Sequence, residues 1–198
     1  MEIIAEKRYM LDTNVFRYII DSSSQHKREA KQFWKKILNE VVNREAEIFT
    51  TAEVIRELNV QSYAFLDKEK ARLKSLKINL TVKPDSSSIN AEHLIRMMTA
   101  YVRSKYRPDL DVINRGVEYP SVSDSRIILS GWQHKCTMVT SNIKEFMLYP
   151  LLFKAEESPT LYNLLTQQYI EIDSNMHDVI NNDSEFMKMK IKLEGMYG

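Results

Sequence analysis

The stretch Arg8-Tyr-Met-Leu-Asp12-Thr-Asn-Val15 decides the fold of this chain. Its first four residues form a short, mainly apolar run, which predicts a buried strand that ends at the acid Asp12. Phe16, Ile19 and Ile20 follow at helical spacing, so the chain passes directly from a strand into a helix. A carboxylate at such a junction either caps the helix or projects into the crevice beyond the strand.

The same passage from a strand into a helix recurs along the chain. Apolar runs at residues 47–50, 76–82, 136–140 and 168–173 predict further strands, and amphipathic patterns between them predict helices. Strands that alternate with helices form parallel βαβ units. We therefore expect an α/β fold, a doubly wound parallel sheet of about five strands flanked by helices, with functional residues just after the carboxyl ends of the strands.

The run at residues 186–194 alternates apolar side chains with Lys or Glu. This alternation predicts an edge strand whose lysines protect it from pairing with other chains. The alternative is an arm that docks on a partner chain, and the edge strand is the preferred interpretation.

Composition limits the class of protein. The 198 residues are 43% hydrophobic and 28% charged, with 4 Gly and 5 Pro, which is typical of one globular domain spanning residues 1–198. The single Cys136 excludes an internal disulfide and fits a reducing compartment. No apolar run is long enough to span a membrane, so we expect a cytoplasmic protein. The net charge of +1 means that nucleic-acid binding would need local patches.

Two glutamates follow the second predicted strand in Thr50-Thr-Ala-Glu-Val-Ile-Arg-Glu-Leu58. Thr50 and Glu53 have the spacing of a capping box, which gives Glu53 a structural explanation. On a helical wheel Glu57 lies at the edge of the apolar face and Glu53 lies further towards solvent. Glu57 is therefore the glutamate that we expect in the crevice.

Two more polar residues lie at predicted strand–helix junctions. Asp124 would sit in the first turn of a helix capped by Ser121 or Ser123, where the helix dipole favours an acid. Asn142 follows the strand at residues 136–140, and its spacing from Glu145 also fits a helix cap. Each of these residues has a structural explanation when it is considered alone.

Together, these positions predict a metal site. Three carboxylates that converge without a cation repel one another, which is costly. Ligands that are all oxygen favour Mg²⁺ or Mn²⁺ over Zn²⁺. Such ions neutralise phosphoryl oxygens and activate water in phosphodiester hydrolysis.

Four motifs carry a family resemblance. Leu11-Asp-Thr-Asn-Val15, the stretch at residues 50–58, Ser123-Asp-Ser-Arg-Ile-Ile128 and Val139-Thr-Ser-Asn-Ile-Lys-Glu-Phe146 occur in the order typical of PIN domains. They resemble those of VapC-type ribonuclease toxins and their relatives over about residues 8–147. About residues 148–198 form an extension that would complete the sheet and contact a partner.

The resemblance implies a function as well as a fold. It implies a Mg²⁺- or Mn²⁺-dependent endoribonuclease in which Asp12, Glu57 and Asp124 bind the metal and Asn142 is the fourth polar member. It also implies RNA as the substrate, an antitoxin protein as a partner and a homodimer. Asn142 stands where many members of the family carry Asp, so the predicted site has one charge fewer.

Two alternatives remain open from the sequence. A non-catalytic PIN-fold module that binds RNA or protein is favoured by the neutral Asn142. A haloacid-dehalogenase-like phosphatase is favoured by the acid after the first strand. A resemblance to that family would require a second Asp two residues later, where this chain has Asn14.

Basic and aromatic residues interleave in Tyr101-Val-Arg-Ser-Lys-Tyr-Arg107. This pattern suits a path for single-stranded nucleic acid. A solvated helix end explains it equally simply and is the slightly preferred interpretation.

Overall fold

The strands of this computed structural model form one six-stranded sheet. The structure describes residues 7–85, 88–114, 116–153 and 159–197. The strands are β1 (Lys7–Leu11), β2 (Ala46–Thr51), β3 (Thr81–Lys83), β4 (Thr137–Thr140), β5 (Leu161–Asn163) and β6 (Gln168–Ile170). Their order across the sheet is β3-β2-β1-β4-β5-β6, with the first five strands parallel and β6 antiparallel to β5.

Helices connect the strands. They are α1 (Thr13–Ile20), α2 (Lys27–Val42), α3 (Ala52–Gln61), α4 (Asp67–Lys77), α5 (Ile89–Asn114), α6 (Val122–Gln133), α7 (Ile143–Phe146), α8 (Tyr149–Leu152), α9 (Ser174–Asn181) and α10 (Ser184–Glu194). A short 3₁₀ turn, Ser62–Ala64, joins α3 to the loop before α4. None of the described helices is both long and apolar enough to cross a membrane.

The predicted fold class is confirmed, because parallel strands alternate with helices as the sequence pattern requires. Two details differ. The sheet has six strands, including the unpredicted β5, and β6 closes it in the antiparallel direction. The strand expected at residues 76–82 is reduced to β3, because Leu73, Leu76 and Leu80 pack against the core at helical spacing and α4 continues through Lys77.

The prediction of an edge strand at residues 186–194 was wrong, because this segment is the helix α10. Its alternating pattern also places Phe186, Met189 and Leu193 at helical spacing, and these three side chains are buried. The Asp183 side chain caps the helix by accepting hydrogen bonds from the backbone of Glu185 and Phe186. A capped helix with a buried face is therefore preferred over an exposed edge strand.

The basic and aromatic stretch at residues 101–107 helps to hold α10 in place. The hydroxyl groups of Tyr101 and Tyr106 donate to the Asp183 carboxylate at 2.8 and 2.7 Å, and Lys105 forms an ion pair with it. Asp183 is buried in this contact. These three side chains thus have a structural role on α5. The preferred interpretation as a solvated helix end was wrong, because the stretch lies within α5 and Tyr106 is buried.

The sheet order places the functional end of the molecule between β1 and β4. From β1 the chain proceeds outward through β2 to β3, and it then returns to the other side of β1 as β4. Leu11 pairs with Val139 at the carboxyl ends of these neighbouring strands. Such a reversal leaves a crevice beyond the strand ends, where ligands bind in open α/β sheets.

Close packing fixes α6 against the sheet. A β-carbon at Gly131 would lie 2.5 Å from the Met138 side chain and 3.1 Å from the Tyr149 hydroxyl. A larger residue would require the Met138 and Tyr149 side chains to shift, so glycine favours this close approach of the helix. The amino-terminal end of α6, which carries Asp124, is thereby held beside the crevice.

Candidate active site

An open cleft of about 520 Å³ lies beyond the ends of β1 and β4. Its walls combine carboxylates, amides and two arginines. They are formed by Asp12, Thr13, Asn14, Arg17, Glu53, Arg56, Glu57, Val60, Gln61, Asp124 and Asn142. All four residues predicted for the site, Asp12, Glu57, Asp124 and Asn142, line this one cleft.

Asp12 lines the cleft and is only 4% exposed. It is the N-cap of α1, and its Oδ1 accepts a hydrogen bond of 2.6 Å from the Thr13 backbone. Its Oδ2 accepts from Asn14 Nδ2 and from Thr140 Oγ1, both at 2.6 Å. The cap interpretation and the crevice interpretation of the sequence therefore hold at the same time.

The electrostatic environment of Asp12 favours its protonated form. Burial is the main cause that raises its pKa to about 7, and the charges of Asp124 and Glu57 act in the same direction. The hydrogen bonds from Thr140 and Thr13 oppose the shift. A buried acid that senses two neighbouring carboxylates is an environment that a bound cation would stabilise.

Thr140 and Asn14 support the site and were not singled out from the sequence. Thr140 is fully buried; its hydroxyl donates to Asp12 and accepts from the Asn142 backbone at 2.9 Å. Asn14 also accepts a hydrogen bond of 3.1 Å from the Ser141 backbone through Oδ1. Their positions in the sequence could have identified both residues, since each lies two residues from a predicted site residue.

Glu57 extends from α3 towards α1. The Thr13 hydroxyl donates a hydrogen bond to Glu57 Oε2. Glu57 is partly exposed, and its charge contributes to the raised pKa of Asp12. Glu57 and Asp12 thus flank Thr13 in the cleft.

The interpretation of Glu53 from the helical wheel was wrong. Glu53 is 6% exposed and lines the cleft, whereas Glu57 is the more exposed of the two. The predicted capping box is also wrong, because the N-cap of α3 is Thr51, whose hydroxyl accepts from the Val54 backbone. Long-range partners that a helical wheel does not include account for the burial of Glu53.

Those partners form an ion-pair network around Glu53. Ser123 Oγ donates to Glu53 Oε1 at 2.6 Å, and Arg126 Nη1 donates to Oε2 at 3.0 Å. Arg56 pairs with both Glu53 and Asp85. Burial alone would raise the pKa of Glu53, but the hydrogen bonds from Ser123, Arg56 and Arg126 hold it at about 2. Glu53 is therefore a paired structural acid.

Asp124 occupies the third helical position of α6. It forms a capping box with Ser121, in which Asp124 Oδ2 accepts from the Ser121 backbone at 2.9 Å and Ser121 Oγ accepts from the Asp124 backbone at 3.0 Å. The predicted cap by a serine is therefore present. Asp124 is partly exposed, lines the cleft and is one of the charges that raise the pKa of Asp12.

Asn142 reaches the cleft without acting as a side-chain cap. It is the N-cap residue of α7, but its side chain makes no cap hydrogen bond. The cap explanation offered for the Asn142–Glu145 pair is therefore not supported by side-chain contacts. The amide of Asn142 remains a polar group in the wall of the cleft.

Glu145, which the sequence predicted only as a cap partner of Asn142, is a further acid beside this site. Burial raises its pKa to about 7, with contributions from the charges of Asp124 and Glu118. Its Oε2 is buried, and it has no hydrogen-bond partner among the described residues. Burial and the neighbouring acids therefore favour the protonated form of Glu145.

The donor set fits a hard divalent cation, but the present contacts do not form a ready ion-binding cluster. Asp12, Glu57, Asp124 and Asn142 offer only oxygen ligands, which suit Mg²⁺ or Mn²⁺. Among the described residues, however, no three acidic, His or Cys side chains are grouped so that they could hold an ion. Asp12, Glu57 and Asp124 each accept a hydrogen bond from protein donors instead.

Comparison with known proteins identifies the fold. No family model matches the chain, and no curated protein matches its sequence. A chain of the structure described as "Structure of FitAB bound to IR36 DNA fragment" matches with a TM-score of 0.53 and 12% sequence identity. The match covers 82% of this chain and 99% of that chain.

Two further solved structures match over a smaller part of this chain. "Crystal structure of VapBC2 from Rickettsia felis bound to a DNA fragment from their promoter" has a TM-score of 0.49 and 19% identity, and covers 72% of this chain and 93% of that chain. "Crystal Structure of FitAcB from Neisseria gonorrhoeae" has a TM-score of 0.46 and 17% identity, and the match covers 71% of this chain and 92% of that chain. The likeness to the FitAB chain is one of fold, and the fold is the one that the resemblance to PIN domains predicted.

Proposed function

We propose that this chain is a metal-dependent endoribonuclease that hydrolyses RNA phosphodiester bonds. The observation that carries the proposal is the buried Asp12, which lies with Glu57, Asp124 and Asn142 in one cleft at the reversal point of the sheet. The raised pKa of Asp12 supports it, because Asp124 and Glu57 contribute to the shift.

Asp12, Glu57 and Asp124 would hold Mg²⁺ or Mn²⁺, with Asn142 as a neutral fourth member. When bound, the ion supplies charge neutralisation at the phosphate and an activated water. Binding would exchange hydrogen bonds for ion contacts, such as the one that Asp124 accepts from the Ser121 backbone. Thr140 and Asn14 would keep the Asp12 carboxylate oriented during this exchange.

Two arginines in the cleft would attract the substrate. Arg17 and Arg56 line the same walls as the acids, and guanidinium groups bind phosphate well. The contacts of Arg56 with Glu53 and Asp85 use Nη2, and among the described residues Nε and Nη1 have no hydrogen-bond partner, so they could donate to a phosphate oxygen. The cleft thus combines acids for a cation with cations for a phosphate backbone.

RNA as the substrate, an antitoxin protein as the partner, a homodimer and a cytoplasmic location are parts of the same proposal. They rest on the resemblance of the four motifs to those of VapC-type toxins. The matched FitAB structure contains a DNA fragment, and this is a property of that complex.

The test is cleavage of a labelled single-stranded RNA oligonucleotide by purified protein. Cleavage with Mg²⁺ or Mn²⁺, stopped by EDTA and lost in Asp12→Asn, supports the proposal. Asp178→Asn, which changes an exposed acid on α9, is the matched control and should keep full activity. Cleavage that survives both EDTA and Asp12→Asn would identify a contaminant and remove the basis of the proposal.

A non-catalytic RNA-binding module is the second candidate. It is favoured by the absence of a ready cation cluster among the described residues and by the hydrogen bonds that the acids already accept. In that case the protein would bind RNA without cutting it, with or without divalent ions. Its melting temperature would also be unchanged by Mg²⁺, because a ligand that does not bind cannot stabilise the folded state.

A further inference from the structure

A second depression continues from the cleft along α3. It has a volume of about 650 Å³ and is lined by Arg56, Asn59, Val60, Ser62, Tyr63 and Lys70. Arg56 and Val60 also line the first cleft, so the two hollows form one continuous surface. We call the second depression the α3 trough.

The α3 trough differs from the cleft in charge. The cleft contains Asp12, Glu53, Glu57 and Asp124, whereas the lining of the trough contains two cations and no acid. The Lys70 side chain is half exposed, and its ion pair with the fully exposed Asp67 is long, at 3.9 Å. Such a pair contributes little, so the Lys70 charge is available to a ligand.

Tyr63 is the most unusual residue of the trough. It is 92% exposed, and no hydrogen bond or ring contact of its side chain is found among the described residues. The 3₁₀ turn Ser62–Ala64 carries it beyond the end of α3, next to the exposed Val60. An aromatic ring held in water beside two cations has the composition of a platform for stacking bases.

The spacing of these residues connects the platform to the acids. Glu53, Glu57 and Val60 follow one another at intervals of four and three residues, so they share one face of α3, and Arg56 lies beside them, three residues after Glu53 and four before Val60. Tyr63 lies six residues after Glu57, which corresponds to about 9 Å along a helix axis. An RNA chain with one phosphate at the acids of the cleft can therefore place a neighbouring nucleotide at Tyr63.

We infer that the α3 trough binds single-stranded RNA next to the bond that is cut, with a base stacked on Tyr63 and the backbone phosphate contacted by Lys70. This inference rests on the proposed function and deepens it, because it identifies residues that position the substrate. Tyr63 and Lys70 are positioning residues, since the reacting atoms lie in the cleft.

The experiment measures binding and cleavage separately. Fluorescence anisotropy with a labelled single-stranded RNA in EDTA gives the dissociation constant, and cleavage with Mg²⁺ gives kcat and KM. Tyr63→Ala should weaken binding by about 5- to 100-fold and raise KM with little change in kcat, because stacking of a base is lost. Tyr63→Phe keeps the ring and should behave like the parent protein.

Tyr169→Ala is the matched aromatic control. Tyr169 is partly exposed on β6, at the other edge of the sheet from β2 and β3. Its substitution should leave RNA binding unchanged. An equal loss of affinity in Tyr63→Ala and Tyr169→Ala would overturn the assignment of the stacking site to the α3 trough.

Lys70 is tested through the salt dependence of binding. Removal of one phosphate contact to a single strand should reduce the slope of log K against log salt by about 0.7. Lys70→Ala should show this change, whereas Lys68→Ala should not, because Lys68 lies about 200° around α4 and does not line the trough. Equal slopes for the parent and Lys70→Ala would overturn the phosphate contact.

The outcomes distinguish this inference from the proposed function. Mg²⁺-dependent cleavage with no effect of Tyr63→Ala on RNA binding or KM overturns the assignment of RNA binding to the α3 trough and leaves the proposed nuclease activity intact. Binding that depends on Tyr63 without any cleavage supports the trough and overturns the nuclease. If Tyr63→Ala changes self-association in solution but not RNA binding, the surface is a protein interface and the inference is overturned.

Discussion

The hydroxyl of Thr140 donates a hydrogen bond of 2.6 Å to Oδ2 of Asp12, 128 residues earlier in the chain. The same oxygen atom of Thr140 accepts from the Asn142 backbone at 2.9 Å. One buried hydroxyl therefore joins the ends of β1 and β4, and it connects the side chain of Asp12 to the backbone of Asn142.

Replacement of Thr140 tests this connection. Thr140→Val keeps the shape but removes the hydroxyl, which leaves Asp12 with one donor fewer and the Asn142 backbone without its acceptor. We expect a loss of about 1–3 kcal/mol in the free energy of unfolding and a fall in RNA cleavage. Thr140→Ser keeps the hydroxyl and should retain both properties. Denaturant unfolding and cleavage assays would contradict this role if the two variants behaved alike.

The two glutamates of α3 should respond differently to loss of charge. Glu57→Gln should weaken Mg²⁺ binding and activity strongly while changing the stability of the metal-free protein by no more than about 0.5 kcal/mol, because Glu57 is partly exposed. Glu53→Gln should lower the free energy of unfolding by on the order of 3 kcal/mol, because it breaks a buried ion-pair network.

This comparison revises the expectation from the sequence, in which the only role of Glu53 was to help cap α3. Denaturant unfolding in EDTA gives the stability of each variant, and calorimetric titration with Mg²⁺ gives its metal affinity. Equal loss of metal affinity in the two folded variants would show that Glu53 shares the role assigned to Glu57.

Asn142 offers a test by added charge. Asn142→Asp should increase the rise in melting temperature produced by Mg²⁺, because another carboxylate near a cation gains Coulomb energy. The same variant should melt lower than the parent in EDTA, because crowded carboxylates repel. Asn175→Asp, on α9, is the control for an added charge elsewhere. An identical Mg²⁺-induced rise in Asn142→Asp and in the parent would remove position 142 from the site.

The raised pKa of Glu145 predicts how the stability of the folded protein depends on pH. Its pKa of about 7 lies above the ordinary value of 4.5, so the folded protein holds this proton more tightly than the unfolded chain does. The stability that protonation supplies is complete below pH 4.5 and is lost as the pH rises through about 7.

Glu145→Gln cannot acquire the charge and should therefore melt higher than the parent at pH 8. Each kcal/mol gained should appear as about 2–4 °C in a domain of this size. The difference should shrink towards pH 5, where the folded parent is protonated. Melting curves in EDTA would measure it, with the exposed Glu171→Gln as the control. A difference independent of pH would mean that titration of Glu145 is not its cause.

Local signals in the sequence were reliable where a residue and its neighbours are sufficient to decide the structure. The apolar run before Asp12 and the helical spacing after it predicted β1 and α1. The cap of α6 by a serine before Asp124 was also readable, because the hydrogen bond between Ser121 and the Asp124 backbone lies within four residues. Short segments such as β5 were missed, because three residues give no usable periodicity.

By itself, the sequence determined the alternation of strands and helices as far as β4 and the placement of Asp12, Glu57, Asp124 and Asn142 near their junctions, because hydrophobic periodicity and capping act over a few residues. Only the tertiary structure decided which acids are buried and paired. Glu53 is buried because Ser123 and Arg126 approach from α6, 70 and 73 residues away. In the same way, α10 is anchored by Tyr101, Lys105 and Tyr106 of α5. The charge of a buried side chain depends on the partners that neutralise it, and those partners come together only when the chain folds.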